Sequence, residues 1–307
     1  MPTILWADNV SAGDVVNRGT LGGQTIDVNA ANSLDNAGGL LAGVQRLNVT
    51  TGALASNTGG TLFAGDLSGL NPTVGDLTLT VNGGAGSFNN ALGQIQAGNN
   101  LTVNAPNQVF DPSAATTGTL NANGTLTLSA QAIRNTGTWD VLPGNVVLNG
   151  AQGVSNTGTI QKAGDLTLST AGTLDNSGQI VGGGNLSLSA GALTNAGTIH
   201  ANGDLALAGN TTNTGTVEAL GNIAITGERA TNSDAKVTTT PGDYGDLNPP
   251  YAGGCNGGGS YKGSNCSASE TVAAGPGAQS EGPRQADGQL AGFLNPTYSS
   301  DGPGDPS

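Results

Sequence analysis

Aliphatic residues recur along the chain with a period of about twenty residues, and each recurrence has the same internal spacing. They stand two positions before an asparagine, four positions after it, and ten and twelve positions after it, as around Asn156, Asn176 and Asn195. Small or polar residues flank each one, so alternate side chains of three short strands point inward. A repeat of this length predicts stacked coils, and the spacing predicts an all-β fold, a three-sided parallel β-helix.

The asparagine of this repeat marks about ten coils, and most copies continue as an Asn-x-Gly corner. Amides stacked at the spacing of parallel strands can satisfy one another's hydrogen bonds, so we expect a structural ladder. Asn232 falls at the next expected position, but the pattern dissolves after it. The predicted ladder consists of Asn17, Asn36, Asn57, Asn90, Asp111, Asn135, Asn156, Asn176, Asn195 and Asn213.

Two coils are longer than the others. The step from Asn57 to Asn90 holds about a dozen surplus residues around Phe63–Pro72, which we predict to form one loop. A smaller surplus, Pro112–Ala115, lies in the coil of Asp111. We therefore assign residues 1–14 to an amino-terminal cap or partial coil and residues 15–240 to the β-helix.

The composition changes beyond residue 240. Residues 241–307 are rich in Gly, Pro and Tyr and show no periodicity, which predicts an irregular or disordered tail. Cys255 and Cys266 are too far apart for a Cys-x-x-Cys site. In an oxidising compartment they can close a disulfide, and two idle thiols are the alternative.

Charge and hydropathy exclude several classes of partner. Eight Lys and Arg against 21 Asp and Glu give a net charge of −13, which repels nucleic acids and anionic membrane surfaces. No stretch has the length of an apolar transmembrane helix, and the first residues lack the features of a signal peptide. We expect no nucleic-acid partner, no direct membrane insertion, and a chain that is a piece of a longer protein.

Residues able to do chemistry are few. His200 is the single histidine and follows Ile199, so we expect it to face solvent. Metal-ligand spacings and phosphate-binding loops do not occur. We therefore predict no catalytic residue, no metal site and no cofactor. These absences favour a structural segment without catalysis. Two alternatives to it stay open: a polysaccharide-processing β-helix enzyme, and a phage fibre or spike segment.

A second polar column follows the second glycine of the repeat. Acid and amide side chains alternate there, and two carboxylates about 5 Å apart would repel by roughly 0.8 kcal/mol in water. The alternation avoids this repulsion and argues against a calcium-binding column. Its members are Asn145, Asp165, Asn185, Asp204 and Asn222.

Two segments are candidates for binding a partner. The loop around Phe63 carries the apolar residues Leu67 and Leu70 on an otherwise small and polar surface. The tail combines Tyr with Gly and Asn, a composition common at contact surfaces, at Tyr244, Tyr251 and Tyr261. A capping loop and a disordered linker are the respective alternatives.

The repeat resembles the haemagglutinin repeats of filamentous haemagglutinin-like proteins. The resemblance rests on phrases such as Leu34–Leu40, Leu174–Ile180 and Gly184–Ala190 and covers residues 15 to about 232. That family includes two-partner secretion exoproteins, among them adhesins and the stick-forming parts of contact-dependent growth inhibition toxins.

The resemblance implies a right-handed β-helix, secretion through an outer-membrane pore of the two-partner type, and display at the bacterial surface. It also implies contact with a receptor or glycan of a host or neighbouring cell. The family's repeats share no catalytic residues, so none is transferred to this chain.

Overall fold

The described part of the chain is built from β-strands and turns. The computed structural model describes residues 4–6, 8–66, 71, 73–232 and 236–238, and side chains for these residues except 4–6 and 236–238. All strand pairs in this part are parallel and together form a β-solenoid of about 11 turns. The prediction of an all-β parallel β-helix is confirmed. The chain divides into two compact units, residues 1–174 and 175–307.

The first unit contains most of the strands. They are β1 (Ile4–Trp6), β2 (Asn9–Val16), β3 (Thr20–Asp35), β4 (Leu40–Ser56), β5 (Thr61–Ala64), β6 (Asp76–Val81), β7 (Gln94–Ala97), β8 (Leu101–Phe110), β9 (Thr119–Ala122), β10 (Thr125–Asn135), β11 (Thr138–Asp140), β12 (Asn145–Gly150), β13 (Val154–Asn156), β14 (Thr159–Lys162) and β15 (Leu166–Asn176), whose end lies in the second unit.

The second unit continues with shorter strands. They are β16 (Gln179–Gly182), β17 (Leu186–Asn195), β18 (Thr198–Ala201), β19 (Leu205–Asn213), β20 (Thr216–Ala219), β21 (Ile223–Thr226), β22 (Ala230–Asn232) and β23 (Lys236–Thr238).

Each coil pairs with the next through three strand segments. In β3, residues 20–23 pair with the next coil, residues 25–30 form a second paired segment, and residues 33–35 form a third, with register shifts between them. We call the outer surfaces of these three segments, and of those in register with them, the A, B and C faces. In the second unit β16, β18 and β20 form the A face, and β17 and β19 supply both other faces. The fold is therefore three-sided, as predicted.

The core is a set of aliphatic columns. The first inward residue of each B segment from β3 to β15 is at most 1% exposed, for example Ile26, Leu47 and Leu166. Ile180, Ile199 and Val217 form such a column inside the A segments of the second unit and are fully buried. Each buried Leu or Ile contributes about 1.5–3 kcal/mol, so the repeated aliphatic positions supply the stability that aromatic residues give other folds.

The first residues form a coil of the same kind. Ile4–Trp6 lies in register with residues 20–22 on the A segment. Asn9–Val16 pairs with β3 along both the B and C segments. Residues 4–16 thus contain the three paired segments found in later coils.

The surplus between Asn57 and Asn90 is divided between two places. Phe63 lies in β5, and the chain leaves the coil only at Gly65 and returns at Gly75. A second excursion, residues 82–87, connects the B segment to Phe88, which pairs with Leu54 on the C segment. The prediction of one loop at Phe63–Pro72 is corrected, because the chain needs extra residues at two separate corners.

One corner is strained. Gly38 and Gly59 have φ angles of +66° and +63° at equivalent corners, and Leu92 adopts φ +57° at the same position of its coil. A bulky residue in this left-handed region costs roughly 1–2 kcal/mol because its Cβ crowds the backbone. The Leu92 side chain makes little compensating contact, since the residue is 85% exposed.

Substitution at Leu92 should separate backbone strain from side-chain loss. Both Leu92→Gly and Leu92→Ala remove the exposed side chain, but only glycine relieves the positive φ. We expect the glycine variant to be about 1 kcal/mol more stable than the alanine variant in urea unfolding followed by circular dichroism. Thr58, an exposed residue on the corner of the preceding coil, has no positive φ, so it serves as the control. There the alanine variant should be more stable than the glycine variant. Equal midpoints for the two Leu92 variants would show that the corner stores no strain.

Candidate functional site

The corner asparagines of the first unit are hydrogen-bonded in series. The Nδ2 atom of Asn17 donates to Oδ1 of Asn36 at 2.7 Å, Asn36 donates to Asn57 at 2.7 Å, and Asn57 donates to Asn90 at 2.6 Å. The remaining Nδ2 proton reaches a backbone carbonyl, as in the 3.2 Å contact from Asn36 to Thr61. The asparagines Asn36, Asn57 and Asn90 are fully buried. Each amide therefore both donates and accepts inside the corner.

The second unit repeats this arrangement. Asn176 donates to Asn195 at 2.6 Å, Asn195 to Asn213 at 2.7 Å, and Asn213 to Asn232 at 2.9 Å. Asn232 thus extends the series by one coil beyond the predicted set.

Asp111 is not part of the ladder. The register of β8 and β10 places Phe110 opposite Ile133, so Asp111 stands one position before the level of Asn135. Its carboxylate accepts hydrogen bonds from the backbone N–H and the hydroxyl of Ser113, at 2.8 and 2.6 Å. The assignment of Asp111 to the ladder is corrected for a physical reason: a carboxylate has no N–H to donate to the next amide.

The neighbouring amides show the consequence of this gap. Asn90 donates to the backbone carbonyl of Thr117 at 2.8 Å instead of to a side chain. Asn135 still donates to Asn156 at 2.8 Å, but its own Oδ1 accepts no hydrogen bond among the described residues. Because Asn135 is only 2% exposed, this oxygen is a buried acceptor without a protein partner. The ladder is therefore interrupted once in the first unit.

The second polar column is a ladder of acceptors on the outside, but strand register places Asn145 opposite Thr167 and not opposite Asp165 as predicted. In the second unit Oδ1 of Asn185 accepts the backbone N–H of Asp204 at 2.8 Å, and Oδ1 of Asp204 accepts that of Asn222 at 2.8 Å. In the first unit Asp76 accepts the N–H of Asn100 at 3.1 Å in the same way. These exposed carboxylates therefore bind backbone N–H groups of the following coil.

The described residues offer little to a catalytic mechanism. His200 lies half-buried on the A face, with Nδ1 at 3.0 Å from Glu218 and Nε2 at 2.8 Å from the Asn202 side-chain oxygen. It thus faces outward but is engaged by two neighbours. No group of three or more His, Cys, Asp and Glu in the described ranges is arranged to hold a metal ion.

No helix long and apolar enough to cross a bilayer is found in the part of the chain that the structure describes.

Of the residues predicted to bind a partner, one can be placed. Phe63 is a partly exposed residue of β5 on the A face, and its ring lies against Gly65. The other candidates lie outside the described residues: Leu67, Leu70, Tyr244, Tyr251, Tyr261, and the cysteines Cys255 and Cys266.

The structure adds a site that the sequence did not reveal. A groove of about 490 Å³ opens on the B face of the first coils. The sequence contains a sign of this site. The outward B positions of the first coils are Asn and Asp, whereas those of several later coils are mostly Thr and Ser. The outward side chains that line the groove are Asn9, Ser11, Asp27, Asn29, Asn48, Thr50 and Thr78.

An ion pair joins two neighbouring corners. Nη1 of Arg18 donates to Oδ1 of Asp35 at 2.9 Å, and the guanidinium also contacts the second carboxylate oxygen. The hydrogen bond from Arg18 holds the pKa of Asp35 below its ordinary value. The pKa of Asp14 is lowered independently, by hydrogen bonds from Ser33 and then Asn32.

The geometry defines the class of protein: a parallel β-solenoid in which corner amides join successive coils. The haemagglutinin repeat family matches residues 72–107, 112–158, 144–209 and 183–243, which together are more than half of the chain. The chain belongs to the haemagglutinin repeat family.

Three curated relatives are similar over about 60% of the chain. Deoxyribonuclease CdiA of Dickeya dadantii (strain 3937) is 32% identical over 216 residues, which are 62% of this chain and 6% of that protein. Toxin CdiA of Escherichia coli is 30% identical over 232 residues, 61% of this chain and 7% of that protein. tRNA nuclease CdiA of Escherichia coli (strain NC101) is 30% identical over 203 residues, 61% of this chain and 6% of that protein. No solved structure matches the chain.

A residue inside an unbroken run of the ladder, Asn57, and the first residue after the gap, Asn135, give a comparative prediction. Asn57→Ala leaves both a donor on Asn36 and an acceptor on Asn90 without their amide partner, and should cost about 2–4 kcal/mol of unfolding free energy. Asn135→Ala leaves only the acceptor of Asn156, so its cost should be smaller by about 1–2 kcal/mol.

Urea unfolding measures both costs. Thr58→Ala, at an exposed neighbour of the ladder, should change stability by less than about 0.5 kcal/mol. Equal costs at Asn57 and Asn135 would contradict the head-to-tail order of the amides.

The Arg18 and Asp35 pair gives a pH prediction. Since the folded-state pKa of Asp35 is lowered, the pair stabilises the fold above the unfolded-state pKa and loses this effect as the pH falls through the folded-state value. Arg18→Gln should raise the pKa of Asp35 and reduce the acid sensitivity of folding. Carbon NMR of the carboxyl groups measures the change, and the pKa of Asp14 serves as the control that should stay constant. An unchanged Asp35 pKa would exclude Arg18 as its main cause.

Proposed function

We propose that the chain is a structural β-helical segment of a secreted bacterial surface exoprotein, without catalysis of its own. In this role it acts as a stalk that holds a distal binding or toxic element away from the cell. It also offers its own faces to a receptor or glycan of a host or neighbouring cell.

The amide ladder is the observation that carries this proposal. Corner asparagines in both units donate to the next coil and accept from the previous one, so the most regular polar feature of the repeat serves stacking. The carboxylates of the outer column likewise bind backbone N–H groups. A segment whose repeated polar groups join one coil to the next is suited to act as a rigid support for other domains of the same protein.

The relatives support the larger context. All three are named as toxins or nucleases of the CdiA type, and the chain spans only 6–7% of their length. We therefore assign to this chain the supporting part of such an exoprotein. Secretion through an outer-membrane pore of the two-partner type, and a location at the cell surface, belong to the same proposal.

A displayed tag tests this function. Asn71 and Thr73, between the buried Gly65 and Gly75, are exposed, so an epitope tag after Asn71 should be tolerated. In intact bacteria making the tagged parent protein, an antibody should bind the tag, and added protease should remove it. Cells without the partner pore should keep the tag inside.

Two outcomes would contradict the proposal. One is a tag that becomes accessible only after lysis in cells that have the pore. The other is release of reducing ends or unsaturated sugars when the purified chain is incubated with polysaccharides, which would favour a polysaccharide-processing enzyme.

A further inference from the structure

The groove on the B face is a regular grid of polar side chains. Strand register aligns Asn9, Asp27, Asn48 and Thr78 in one column, each from a successive coil. A second column, two residues further along the same strands, contains Ser11, Asn29 and Thr50. Successive members of a column are about 4.8 Å apart, so the four coils span about 14 Å.

One carboxylate in the grid is held in place. Oδ1 of Asp27 accepts from Nδ2 of Asn48 at 2.7 Å, and Oδ2 accepts from Nη2 of Arg46 at 3.0 Å. A carboxylate has room for about four hydrogen bonds, so Asp27 retains acceptor capacity toward the groove. The charge of Arg46 balances that of Asp27, which suits the groove to an uncharged ligand.

The remaining groove side chains have unused hydrogen-bonding groups. Asn29 makes no side-chain hydrogen bond to any described residue, although Ser11 and Thr50 are its neighbours in register. Further along the same face Asn104 donates to the Thr80 hydroxyl at 3.3 Å. Asn104 and Thr80 therefore bind each other, whereas Asn29 and the hydroxyls beside it in the groove remain available to a ligand.

The surroundings favour a sugar over a protein partner. Protein interfaces depend on buried aromatic or apolar anchors. The large hydrophobic residues that are exposed in the described part of the chain lie on corners or on other faces. They are Val16, Leu92, Val109, Leu142 and Leu220. A sugar instead presents hydroxyl groups that both donate and accept, which matches a carboxylate flanked by amides and hydroxyls.

We propose that the B-face groove binds a neutral oligosaccharide, with Asp27, Asn29, Asn48 and Thr50 as its hydrogen-bonding residues. Its volume of about 490 Å³ is within the range of small-ligand sites, about 300–1,000 Å³. This site deepens the proposed role as a surface segment and rests on that role for the ligand's location outside the cell.

The test uses the purified 307-residue chain on immobilised neutral oligosaccharides of hexoses and N-acetylhexosamines, with sialylated and sulfated oligosaccharides beside them. We expect retention on neutral oligosaccharides. Titration calorimetry with the best-retained one should show affinity weakened about tenfold or more by Asp27→Asn, and similarly by the double change Asn29→Ala and Thr50→Ala. Thermal unfolding of these exposed-site variants should match that of the unmodified chain.

A matched control lies on the same face. The double change Thr127→Ala and Thr167→Ala removes two outward threonine hydroxyls of later B segments and should leave affinity unchanged. Equal loss in the control pair, absence of binding, or retention only on charged oligosaccharides would overturn the proposal. So would sedimentation showing dimers that the groove variants dissociate, because the face would then join two copies. The assay uses purified chain, so its failure leaves the tag-display result on cells unaffected.

Discussion

Along each unbroken run of the ladder, a side-chain amide at one corner donates to the coil after it and accepts from the coil before it. Asparagine meets this requirement because it is short and carries both a donor group and an acceptor group, whereas aspartate lacks the donor. The corner also determines where the next strand begins. A slip of one residue would turn the aliphatic columns outward, so the position of the amide and the burial of residues such as Leu47 and Leu77 are coupled.

The interruption at residues 111–118 shows how far the fold depends on this amide. Strand pairing continues across the gap, since Gln94 remains opposite Thr119 on the A segment. The inserted turn supplies its own hydrogen bonds, from the Thr117 hydroxyl to the Asp111 carbonyl at 2.6 Å and from Gly137 N–H to the Ser113 hydroxyl at 2.8 Å. Backbone pairing therefore maintains the stack, and the amide ladder fixes the shape of the corner.

Much of the fold is predictable from the sequence because every copy of the repeat places aliphatic residues at the same inward positions. Period, inward aliphatic positions and three strands per coil all follow from spacing. Asp111 was assigned by spacing alone, but an insertion shifts the register locally, and only the pairing of Phe110 with Ile133 reveals the shift. The extra residues between Asn57 and Asn90 are divided between two corners, which the sequence does not show. The length of an insertion does not reveal at which corner the extra residues leave the coil.

The composition of the outward B positions marks the first coils in the sequence, but the sequence does not show which of these side chains remain without a hydrogen-bond partner. Asn29 and Asn104 are the same residue type on the same face, yet only Asn104 bonds to the neighbouring coil. In a solenoid of near-identical coils, a feature shared by every coil cannot distinguish one position along the stack from another. Specific recognition must then come from departures from the repeat, and the first coils combine several: a carboxylate at Asp27, a cation at Arg46 and amides at neighbouring outward positions. The corner carboxylates of Asp76 and Asp204 bind backbone N–H groups of the following coil, whereas Asn29 bonds to no described residue, so the proposed ligand would contact a side chain that the stacking of coils leaves free.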